Sequence, residues 1–169
     1  SLGQSYFDIA MPGRERERVT HYRADINDVE LVSGVLRNFN IKKVFHLAAE
    51  SHVDRSISGP YVFFESNVIG TLSLVEACRE YINAREISDF RFVHVSTDEV
   101  FGDLDENDPV FDEASPYLPN SPYAVSKASS DMIIRAWGRT YGFPGIITNC
   151  SNNFGPYQNA EKFIPTILS

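Results

Sequence analysis

Two short stretches concentrate side chains able to move protons. Thr97, Asp98 and Glu99 are consecutive, and Tyr123 and Lys127 lie four apart at the start of a helical pattern. A hydroxyl beside two carboxylates can polarise a carbonyl, give one proton and take another, provided that the surroundings push the two carboxyl pKa values apart. Positions four apart on a helix share a face, so the Lys127 ammonium is expected beside the Tyr123 phenol. A phenol of reference pKa about 10 is a poor base near neutrality, and a neighbouring cation favours its phenolate. Each stretch also has a plainer reading. Tyr-x-x-x-Lys arises by chance on solvated helix faces, and Thr-Asp-Glu can be a strand exit in which Asp98 caps a turn. Their presence in one chain favours chemistry.

The elements that must position these residues alternate along the chain. Short apolar runs at 21–25, 43–49, 90–95 and 145–148 read as strands, the second as one covered on both faces. Helical spacing covers 28–39, with Asn27 or Asp28 as N-cap, then 60–85 and 123–141. Residues 102–122 form a long polar loop and 1–20 an entering loop. Strand and helix alternating in this way define an α/β fold with a doubly wound parallel sheet, and right-handed crossovers bring the strand ends to one cleft. Thr97–Glu99 sit at the exit of the third run.

Composition narrows the partners. The 169 residues are 43% hydrophobic, which is globular, and 15 basic against 23 acidic side chains give a net charge of −8, the wrong sign for nucleic acid. No apolar stretch approaches the ~20 residues that cross a bilayer. Cys78 and Cys150 lie in apolar patterns and read as buried thiols of a reducing, cytoplasmic compartment. His21, His46, His52 and His94 lack the close spacing of zinc ligands, so a metal-free site is expected.

Five segments carry a family likeness: VFHLAAESHVDRS (44–56), STDEVFGD (96–103), SPYAVSKASSD (121–131), TNCSNNFGPY (148–157) and EKFIP (161–165). Together they resemble the dTDP-glucose 4,6-dehydratases of the extended short-chain dehydrogenase/reductase superfamily. The resemblance implies a Rossmann-like NAD-binding domain over 21–169, with the substrate lobe starting near 152–169. It implies that a Tyr123 phenolate takes the proton of the sugar 4-hydroxyl, Glu99 the C5 proton, that Asp98 protonates the departing 6-hydroxyl, and that Thr97 bonds the 4-oxygen. It further implies NAD contacts by Asp25, Ile26, Leu47, Ala48, Ala49, Ser51, Ser66, Tyr123, Lys127 and Asn153. Ser51, Thr97, Asn152, Lys162 and Phe163 would face a nucleotide-sugar substrate, and the helices at 60–81 and 123–141 would pack a homodimer or higher homo-oligomer.

The fold is expected to be incomplete. Residues 1–20 hold only the isolated Gly3 and Gly13 where the resemblance implies a strand and a glycine-rich turn. In the superfamily's strand order the absent strands fall between the runs at 21–25 and 43–49. Either the first run moves beside the second or another chain completes the sheet, and the 169 residues alone are expected to be inactive. The alternatives are a non-catalytic, oligomerising fragment and a dehydratase or epimerase acting on a UDP- or GDP-sugar.

Overall fold

The computed structural model describes residues 19–156, 158 and 163–168. They fall into two compact units, Ala24–Ser151 and, separately, Ser1–Arg23 with Asn152–Ser169. The first holds α1 (Val29–Asn38), β1 (Lys43–His46), α2 (Val53–Ser58), α3 (Pro60–Phe63), a π-helical turn (Phe64–Ile69), α4 (Gly70–Arg85), β2 (Arg91–Thr97), a 3-10 turn (Asp98–Phe101), α5 (Pro122–Tyr141) and β3 (Gly145–Cys150). The second holds α6 (Phe163–Leu168).

The three strands form a parallel sheet in the order β1-β2-β3, with His46 opposite His94 and Thr97 opposite Cys150. β2 runs on through Ser96 and Thr97, so the hydroxyl of interest ends a paired strand. Local chemistry sets the helix limits. Asp28 caps α1 by accepting from Leu31 N at 3.0 Å, and Ser121 caps α5 by accepting from Ala124 N at 3.0 Å, with Pro122 in the first turn. Gly142, at φ 68°, ends α5 with its N–H on Gly138 O, a left-handed turn that favours glycine and redirects the chain into β3.

The core lies on one sheet face, where Phe92 meets Phe143, and Leu36, Val75, Cys78, Tyr81, Phe90 and Ile134 close around them. Each such side chain contributes about 1.5–3 kcal/mol through apolar burial. Burial also pushes the Cys78 thiol up to about 12.

Two expectations are corrected here. Residues 21–25 form no strand: among the described residues the sheet ends at β1, and Asp25 leads into a turn in which its carbonyl accepts from Asp28 N. Strand backbone needs a neighbour's ladder, and among the described residues no strand pairs with the outer edge of β1. Nor is β1 covered on both faces. Phe45 is 64% exposed and Leu47 67%, while only His46 of β1 is buried, so of the doubly wound arrangement the described helices supply the layer over the core.

Candidate active site

The strand ends are tied together by buried polar side chains before any chemistry is considered. Asn67, 1% exposed, lies in the π-helical turn, a deformation often found at functional sites. Its Nδ2 donates to Glu50 O at 2.9 Å and to Ser126 Oγ at 2.8 Å, and its Oδ1 accepts from Glu50 N at 2.8 Å, fixing the β1 exit against the helices. Its carbonyl accepts from Thr71 Oγ1 and from Ser130 Oγ, at 2.5 and 2.7 Å. The chain 47–51 thus has a fixed path: Leu47, Ala48 and Ser51 are exposed and Ala49 half-buried, with Ser66 half-buried on the π-helical turn. Ile26 packs so closely on α4 that a Cβ on Gly70 would stand 2.6 Å from its Cδ1. Asp25 is exposed, and its Oδ1 accepts from Asn27 N at 2.8 Å.

At the β2 exit the Thr97 hydroxyl accepts from Glu99 N and donates to Asp98 Oδ1, both at 3.3 Å, which starts the 3-10 turn and leaves both carboxylates half-buried. Asn149 Nδ2 donates to Thr97 O at 3.2 Å from the neighbouring strand. Tyr123 enters from the first turn of α5. Its N–H donates to Ser56 Oγ at 3.2 Å and its ring meets Phe63 edge-on at 6.4 Å. The phenol faces Thr97, Glu99 and Asp98.

The electrostatics of the described residues by themselves favour the neutral phenol. Burial pushes the Tyr123 phenol up to about 12, the Glu99 carboxylate adds to the rise, and the Thr97 hydroxyl works against it. Lys127, expected to lower it, is 4% exposed and donates Nζ to Val95 O at 2.7 Å. Burial holds the ammonium below the ordinary lysine value, with the Asp131 carboxylate opposing. Tyr123 is therefore a neutral phenol in this structure.

The structure brings Thr97, Asp98, Glu99 and Tyr123 together, with Lys127 one turn further along α5 on the β2 carbonyl. Asn152, Asn153 and Phe163 belong to the second unit, where Asn153 O accepts from Gln158 Nε2 at 2.9 Å, and Lys162 lies outside the described residues. Sequence reasoning missed Asn67 and Asp131. A signal existed for Asp131, four residues beyond Lys127 on the same helix face.

A parallel sheet whose strand exits gather a Tyr-x-x-x-Lys pair and a hydroxyl defines a Rossmann-like protein of the short-chain dehydrogenase/reductase type. Residues 8–169 match the family described as GDP-mannose 4,6 dehydratase, and the chain belongs to that family. The dTDP-glucose 4,6-dehydratase of Shigella flexneri is 50% identical over 165 residues, 91% of this chain and 46% of that protein. The dTDP-glucose 4,6-dehydratase 1 of Escherichia coli K12 is 49% identical over the same shares. A crystal structure of DesIV, a dTDP-glucose 4,6-dehydratase from Streptomyces venezuelae with NAD and TYD bound, is similar with a TM-score of 0.84 at 43% identity, covering 99% of this chain and 48% of that one. The chain spans about half the length of the curated relatives it matches.

Proposed function

We propose that this chain carries the proton-transfer groups of an NAD-dependent dehydratase that converts dTDP-glucose to its 4-keto-6-deoxy product. The observation that carries this reading is the single cluster in which the Tyr123 phenol faces Thr97, Asp98 and Glu99. A dehydrogenase of alcohols needs the phenol and the lysine; the added pair of carboxylates suits elimination of water.

The residues at hand fit part of an NAD site. The small side chains of Ala48 and Ala49 leave backbone open along 47–51, Ser51 and Ser66 offer hydroxyls, Lys127 a cation, and Ile26 an apolar wall beside the Asp25 carboxylate. Among the described residues no glycine-rich turn opens a helix after a strand, so the pyrophosphate cradle is not part of this fit. NAD, when bound, supplies a reversible two-electron acceptor for the carbinol at C4 of the sugar.

Tyr123 receives the 4-hydroxyl proton, a role that a cation beside its oxygen would favour, and Thr97 bonds the 4-oxygen as charge develops. With C4 at the ketone level the C5 proton is acidic. Glu99 takes it, the C6–O bond breaks, and Asp98 gives its proton to the departing oxygen; the electron pair taken at C4 would then return at C6 while Glu99 gives its proton back to C5, which yields the 4-keto-6-deoxy product. Within the first unit, Ser51 is the further substrate contact of this reading.

Calorimetric titration of the chain with NAD, before and after addition of dTDP-glucose or GDP-mannose, tests the proposal. Micromolar NAD binding with release of a 4-keto product from dTDP-glucose is expected of a complete site. A folded chain that binds neither ligand is the outcome expected if these residues alone are inactive, and product from GDP-mannose alone would move the substrate to the other nucleotide.

The same reading includes self-association through α3, α4 and α5. Tyr61 is 88% exposed, and Val62 on α3, Ile69 on the π-helical turn and Met132 and Tyr141 on α5 are exposed with it, more apolar surface than a lone helix face needs to show. Sedimentation is expected to give a dimer or larger species, and a strict monomer at high concentration would refute this part. Among the described residues no helix is long and apolar enough to cross a membrane, and neither cysteine is in a disulfide, which supports a reducing cytoplasmic setting.

A further inference from the structure

Behind the site lies a carboxylate that the reaction above does not use. Asp131, fully buried, sits one turn beyond Lys127 on α5. Its Oδ2 accepts from Ser96 Oγ on β2 at 2.8 Å, from the Tyr117 hydroxyl in the long loop at 2.8 Å, and from Asn149 Nδ2 on β3 at 3.4 Å. Its Oδ1 is 3.1 Å from His94 Nε2. A buried anion is expensive without a compensating charge, and these donors from Ser96, Tyr117 and Asn149 are neutral. His94 does not supply the charge either, since burial holds its imidazole below the ordinary range.

The complementary deficit belongs to Lys127. Its ammonium is almost wholly out of water and donates to the uncharged carbonyl of Val95. The titratable groups acting on it are Asp131 from its own helix, Cys150 from β3, His94 from β2 and His46 from β1. Of these, Asp131 is the carboxylate. A lysine in such a place without an anion would give up its proton more readily still, and the neutral amine would not stabilise a phenolate.

We propose that Asp131 is a positioning residue of the site: the buried anion that keeps the Lys127 ammonium charged and clamps the β2 exit, where Thr97 begins, to α5 and β3. Its value to catalysis rests on the dehydratase reading, while the charge coupling itself does not. The chain has four lysines, Lys42, Lys43, Lys127 and Lys162, so the Lys127 titration can be followed by NMR of ε-carbon-labelled protein with the others as internal standards.

In Asp131→Asn the Lys127 midpoint is expected to fall by about one pH unit or more, with Lys42 and Lys43 unmoved. An acid that served only as a hydrogen-bond acceptor would lower stability and leave the midpoint in place, and an unmoved midpoint in the folded variant overturns the proposal. Should Asp131→Asn not fold, the double variant Lys127→Met/Asp131→Asn decides. Recovery of folding when both charges are gone is the expected result, because the harm then came from an orphaned ammonium. A double variant that stays unfolded overturns the proposal as well. None of these readouts requires NAD or sugar, so failure of the dehydratase reading would show in the calorimetry and leave the lysine titration as it is.

Discussion

On the dehydratase reading, Tyr123→Phe in a protein whose cofactor site is complete is expected to lower turnover of dTDP-glucose by about 10²–10⁴-fold, the range lost when a positioned general acid–base is removed. The substitution is selective because little else about Tyr123 depends on its oxygen. Its main-chain N–H holds Ser56 Oγ, and its ring packs edge-on against Phe63, contacts that a phenylalanine keeps. The hydroxyl instead faces Thr97 and the two carboxylates. Since it acts where the proton moves, the loss should fall on kcat with KM little changed, as for an interaction realised only in the transition state. A 4-keto product assay across substrate concentrations reads both. Equal turnover by the variant would take the phenol out of the reaction, and a rise in KM alone would make Tyr123 a binding residue.

What could be read without a structure was local. The apolar run at 90–95 marks a strand with Thr97 at its exit, and the helical spacing over 123–141 matches α5 within a residue, because side-chain periodicity is settled by neighbours a few positions away. Strand pairing is not local, and the run at 21–25 shows the consequence: its composition suits a strand, but among the described residues it pairs with no neighbour. The site divides in the same way. Tyr123 and Lys127 share a helix face as their spacing says, but which oxygen takes the ammonium depends on where β2 passes, and Val95 O is there first. Asn67, Asp131, His46 and His94 are written in the sequence as polar residues among apolar ones, and only the packing shows that they are buried partners and not surface positions.

The second large effect expected is acid sensitivity from the two histidines. His46 is 3% exposed, and its Nε2 lies 2.9 Å from Thr71 Oγ1. The Thr71 hydroxyl spends its own proton on Asn67 O, so Nε2 is the donor and Nδ1 is left as an unprotonated nitrogen, buried without a partner. A second proton at Nδ1 would create a cation out of water, with the His94 ring 5.1 Å away and the Lys127 ammonium nearby. Burial above all, then these two neighbours, lowers the His46 pKa to about 3. Burial lowers His94 as well, against the pull of Asp131. An unfolded histidine titrates near 6.5, so below that pH the unfolded chain binds protons that the folded one refuses. Stability from these groups is fully present above pH 6.5 and drains as the pH falls, until the folded pKa is reached. His46 alone should remove about 1.4 kcal/mol between pH 7.5 and 5.5 and about 2.7 kcal/mol by pH 4.5, and His94 acts in the same direction. Urea unfolding at pH 7.5 and 5.5 measures this, the higher pH region being clear of carboxylate protonation. In His46→Gln, whose amide can still donate to Thr71, the difference between the two pH values should shrink by the His46 share. An unchanged difference would mean that His46 accepts its proton in the folded protein, and that the buried pair is not the source of the acid sensitivity.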